Sequence, residues 1–168
     1  MAELDKVLVP YYEKSMWRNL KDAERWNIPN AAEYALAKTE DELKQGLQAL
    51  SLKLNTVSSS RGDYPFVTLS FGLLDEPETL EVQKRIASAI LRDRMSFEVP
   101  PVFPKLVYLF NEPTNDEELF DLSIECSCRC LYPDYLSLSG HGYVADMYRK
   151  HKKAISPMGK TTAHLKSL

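Results

Sequence analysis

Residues Phe103–Leu138 read FPKLVYLFNEPTNDEELFDLSIECSCRCLYPDYLSL. The first eight residues are apolar, aromatic and β-branched around one lysine, the composition of a buried strand. A polar break follows. Thr114 and Glu117 then have the spacing of a capping box, with further acids in the first turn, where the helix dipole favours them. YPDYLSL, 132–138, ends that helix and starts another extended segment. A strand, a helix and a strand in succession imply two parallel strands joined by a crossover.

The same pattern extends upstream. FVTLSFG, 66–72, reads as a strand after the punctuated run SSSRGDYP. Between the strands, Val82, Ile86 and Ile90 form one helical stripe, with Pro77 early, where a helix tolerates it. Residues 5–54 read as helical and are divided by the turn NIPN at 27–30. Leu43, Leu47, Leu50 and Leu54 mark one helix face, and Thr39 with Glu42 suggests a capping box before it. From His141 to Leu168 the chain is polar, basic and weakly patterned. The expected class is α/β, with a parallel sheet of three strands. So small a sheet has open edges, which suits part of a larger sheet or barrel.

The 168 residues suit one domain, and the net charge of −3 disfavours a general nucleic-acid or membrane-surface binder. No apolar run approaches the roughly 20 residues of a membrane span. The start, MAELDKVLVPYYEK, lacks a secretory pattern, so a cytoplasmic location is expected.

Candidate sites are few. Cys126, Cys128 and Cys130 crowd five residues. On a helix the first and third share a face and the second points away, so the trio suits buried thiols better than a zinc site. His141, His151 and His164 lack metal-ligand spacing, and no resident metal or cofactor is expected. RGD at 61–63 reads as the turn before a strand. GKT at 159–161 suggests a phosphate loop, but the required earlier glycine is Ala154 and the lead-in is basic.

Several stretches, in order and spacing, resemble the anaerobic (class III) ribonucleoside-triphosphate reductases. They are NTVSSSRGDYPFVTLSFG, EVQKRIASAIL, PVFPKLVYLF, LFDLSIECSCRCLYPDYLSL and SPMG. The helical lead-in is also similar, so the resemblance covers about residues 8–159. It implies a slice of a ten-stranded α/β barrel: helical lead-in 1–56, partial barrel 57–159, divergent tail 160–168. It also implies radical reduction of ribonucleoside triphosphates to deoxyribonucleotides. In that family a glycyl radical, made by an iron–sulfur activase with S-adenosylmethionine, oxidises a cysteine to a thiyl radical. That radical takes the ribose 3′-hydrogen. A zinc site and ATP or deoxynucleotide effectors complete the family's parts.

The family's thiyl cysteine directly follows PMG; here the position is Lys160. From there TTAHLKSL departs from the family. No match to the regulatory ATP cone, the glycyl loop or the four-cysteine zinc site is found in these residues. Cys126 matches a cysteine the family commonly carries, without a known catalytic role. The expectation is an internal fragment, inactive alone, whose partners are the remaining reductase segments, the activase and the triphosphate substrates. Two other readings stay open: a non-catalytic binding or scaffold module, and a thiol-redox role for the cysteine trio.

Overall fold

The computed structural model describes residues 3–56 and 66–154. Two long helices, α1 (Leu4–Arg25) and α2 (Ala31–Thr56), lead into β1 (Thr68–Phe71) and α3 (Leu80–Met95). Then come β2 (Lys105–Phe110), a 3₁₀ turn at Glu112–Thr114, α4 (Glu117–Cys130), β3 (Asp134–Ser137) and α5 (Tyr143–His151). The sheet order is β1-β2-β3, and both pairings are parallel. The α/β class and the three parallel strands thus match the sequence reading.

Alternation along β2 divides the core. Leu106 and Tyr108 face one side, with Phe71, Ile86, Leu91, Leu119 and Cys126. Val107 and Leu109 face the other, with Leu73, Leu138 and Tyr148. Every strand side chain on β2 from Leu106 to Leu109 is buried, as expected of a parallel strand covered on both faces. Val9, Tyr12 and Leu47 bring the two lead-in helices into the first cluster. Full burial of an Ile or Leu side chain contributes about 1.5–3 kcal/mol, so Ile86 and Leu91 alone anchor α3 firmly.

Four local expectations are corrected. Thr39 is not a cap: it lies within α2, where its hydroxyl donates to the Ala35 carbonyl at 2.7 Å and accepts from the buried Asn19 amide at 3.0 Å. The helix already starts at Ala31, directly after the NIPN turn. Thr114 is not the cap of α4 either. It belongs to the 3₁₀ turn, held by the Asn111 amide at 3.0 Å, and Asp116 caps the helix by accepting from the Leu119 amide at 2.9 Å. Pro77 precedes α3, in the turn that leads to Leu80. The weakly patterned region after His141 contains α5, whose Ala145 and Tyr148 are buried.

Candidate functional site

In open parallel α/β sheets, ligands gather outside the carboxyl ends of the strands. Here those ends are Gly72 after β1, Asn111 after β2 and Ser139 after β3. A polar network links the last two. The Ser139 hydroxyl donates to Asn111 Oδ1 at 3.1 Å and accepts from the Glu112 amide at 2.7 Å. Arg149 of α5 donates to the Gly140 carbonyl at 2.8 Å, which holds α5 against the loop after β3.

At β1 the anchor comes from α1. Asp5 is fully buried, and its carboxylate accepts from the Gly72 amide at 2.7 Å and the Lys6 amide at 3.0 Å. Lys6 beside it pairs with Glu3 at 2.6 Å and with Asp75. Burial pushes the Asp5 carboxyl up from 3.8 to about 6, outweighing the two amide bonds that favour its ionised form. The folded-state value is raised, so between about pH 4 and 6 the folded chain keeps a proton that the unfolded chain has released. Stability from this group therefore falls as pH rises through that window, by roughly 3 kcal/mol in full. Urea unfolding should find the protein about 1.5 kcal/mol more stable at pH 5 than at pH 7.5 on account of Asp5. Asp5→Asn should remove that difference, at a fixed cost of about 1–3 kcal/mol for the lost acceptor. A variant with the parent's full pH dependence would show that Asp5 is not its source.

The cysteine trio divides as its spacing predicts. Cys126 and Cys130 are buried on the inner face of α4, and Cys128 is exposed. Their thiols contact the Leu91 and Arg94 carbonyls at 3.7 Å, so they dock α4 on α3. Burial pushes the Cys126 thiol up to about 12, which keeps it protonated at neutral pH and unsuited to nucleophilic or redox work. Arg94, also buried, lies over the Tyr132 ring at 5.2 Å beside these thiols. Burial lowers its pKa, and its Nε and Nη2 lack partners among the described residues.

Among the described residues, no group of three or more His, Cys, Asp or Glu side chains is placed to hold a metal. The cysteines do not fit a zinc site, because one of the three faces away from the other two. His141 and His151 are exposed and separate. RGD, GKT, Lys160 and His164 lie outside the described residues. Among the described residues, no helix is long and apolar enough to cross a membrane. Asp5, Gly72, Arg94 and α5 escaped the sequence reading. A glycine closing an apolar strand run was the one available signal for them.

Similarity places this architecture. The family described as anaerobic ribonucleoside-triphosphate reductase matches residues 1–164. The enzyme of that name from Enterobacteria phage T4 is 34% identical over 164 residues, 94% of this chain and 26% of the phage protein. Those of Haemophilus influenzae and Escherichia coli are each 34% identical over 80% of this chain and 20% of their own length. The chain thus spans about a quarter or less of the relatives it matches. With nearly every residue inside the matched region, the chain belongs to the anaerobic ribonucleoside-triphosphate reductase family.

Proposed function

We propose that this chain carries a structural slice of a radical ribonucleotide reductase. The whole enzyme would reduce ribonucleoside triphosphates to deoxyribonucleotides without oxygen. The observation that carries the reading is a family match over nearly the whole chain that spans only 26% of the phage relative. The three parallel strands are consistent with a segment of the ten-stranded barrel that the resemblance implies. Residues 1–56 serve as the helical lead-in, 57–159 as the barrel portion and 160–168 as a divergent tail.

The glycyl radical, its activase, the zinc site and the effector sites would come from other segments or proteins. Chemistry at the ribose needs a hydrogen-abstracting thiol, and Lys160 occupies that position by resemblance. The chain alone would therefore be inactive. Its own residues build the frame: Asp5 pins the end of β1, Asn111 and Ser139 fix the loops after β2 and β3, and Cys126 docks α4.

A chimera tests this. Residues 1–159 are exchanged into the phage relative in place of the matching segment, and deoxynucleotide formation is measured without oxygen. The chimera should fold and keep measurable turnover. A soluble, folded chimera with no turnover, though its activase still forms the glycyl radical, would overturn the reductase reading.

A further inference from the structure

Two charged residues, Asp93 and Arg94, stand in the last turn of α3, at the amino end of the sheet and away from the ligand-gathering side. A helix end of this kind normally points its charges at solvent. These two point inward: Asp93 is 7% exposed and Arg94 only 3%. A charge taken out of water needs a pair or a full set of hydrogen bonds to replace its hydration.

The protein supplies only part of that set. Asp93 Oδ2 accepts from the Ser51 hydroxyl of α2 at 3.3 Å. Asp93 Oδ1 is buried and has no partner among the described residues, and the same holds for Nε and Nη2 of Arg94. The Tyr132 ring, 5.2 Å from the guanidinium, covers its face and leaves the in-plane N–H groups free to donate. Nε–H and one N–H of Nη2 run side by side along one edge of the planar fork, so a single oxygen between them can accept both. Burial raises the Asp93 carboxyl and lowers the Arg94 guanidinium, the directions expected of charges short of polar partners.

Both residues line one small cavity of about 20 Å³, enclosed by α2, α3 and the start of β2, with Ser51, Ile90, Pro104 and Leu106 among its walls. A buried water needs about 10–15 Å³ and two to four polar partners. The cavity therefore has room for one water and not for two. The chemistry of the walls selects the ligand further. An anion would suit the Arg94 fork but would meet the Asp93 carboxylate. A cation would suit Asp93 but would meet the guanidinium. A molecule of this size that both donates and accepts completes both sets at once, and water is that molecule.

We propose that this cavity is a binding site for one ordered water, which accepts from Nε and Nη2 of Arg94 and donates to Asp93 Oδ1. Three hydrogen bonds are the usual number for a buried water. The two charges then compensate each other through one oxygen instead of in contact. The water also joins three helices. Asp93 reaches α2 through Ser51, and the Arg94 carbonyl accepts from the Cys130 thiol of α4 at 3.7 Å. The site is independent of the reductase reading.

A crystal structure of the full chain at atomic resolution, grown in bromide, tests this directly. One peak without anomalous signal is expected, within about 2.7–3.2 Å of Asp93 Oδ1 and of the Arg94 fork. Water-oxygen magnetic relaxation dispersion, which counts long-lived internal waters, supplies the solution measurement. Arg94→Met should lose one such water relative to the parent. Lys44→Ala, which removes an exposed lysine near Asp93, should lose none. The parent crystal decides the matter if Arg94→Met does not fold. A dry cavity would overturn the site. So would a bromide peak in it, a direct contact between Asp93 and Arg94 in place of the water, or an Arg94→Met variant that folds and keeps the parent's count.

Discussion

The chimera extended by one residue, so that Lys160 stands where the resemblance puts the radical-carrying cysteine, is expected to make no deoxynucleotide above background. The reason lies in the hydrogen-atom transfer that the resemblance implies. A carbon-centred glycyl radical can exchange a hydrogen atom with a thiol, because the S–H bond is weak. An ammonium group offers only strong N–H bonds and a positive charge that opposes loss of an electron. Restoring cysteine by Lys160→Cys within the same chimera should return turnover to the level of the 1–159 exchange. The readouts are product formation and, on the radical mechanism that the resemblance implies, the glycyl-radical signal, which should be present in both proteins. Turnover by the lysine form, at even a few per cent of the cysteine form, would remove position 160 from the radical path.

That expectation depends on a residue whose meaning is invisible to composition or periodicity. SPMGK carries no local pattern beyond a false phosphate loop, and only the resemblance gives position 160 a role. The described frame was legible for a different reason. Ile86 and Ile90 on α3, and Cys126 and Cys130 on α4, recur at helical spacing because one buried face needs them, and that requirement is written locally. β2 was legible because both of its faces are covered, which demands an unbroken apolar run.

The misreadings have a common physical cause. Thr39 has the chemistry of a cap but is held inside α2 by Asn19, twenty residues away. Asp5 and Gly72 are 67 residues apart, so no window of sequence joins them. Helix α5 is nine residues long and buries only Ala145 and Tyr148, too few positions to establish a period. Local pattern reports which face of an element is buried. It does not report which distant partner meets that face.

Gly72→Ala is expected to lower the unfolding free energy by about 2–5 kcal/mol, the sum of backbone strain and overpacking. Gly72 has a φ of +93°, and a Cβ there would lie 2.8 Å from Cε2 and 3.0 Å from Cδ2 of Tyr108. Tyr108 has little freedom to yield. It is fully buried, its ring meets Phe71 edge-on at 5.8 Å, and its hydroxyl is within 3.2 Å of Asn115 Oδ1. Gly140 supplies the control. Its φ is +84°, but nothing lies within 4 Å of its Cβ position, so Gly140→Ala should cost only about 1 kcal/mol. The difference between the two, read by urea unfolding, isolates the contact with Tyr108. The loss should also reach α5. Gly72 is where the chain turns so that Leu73 packs beneath α5 while Leu74 returns to the first core cluster. Its amide is also the one that Asp5 holds. Shifting it moves the support of α5. Equal stability losses at the two glycines would mean that Tyr108 yields, and that the end of β1 is looser than its packing implies.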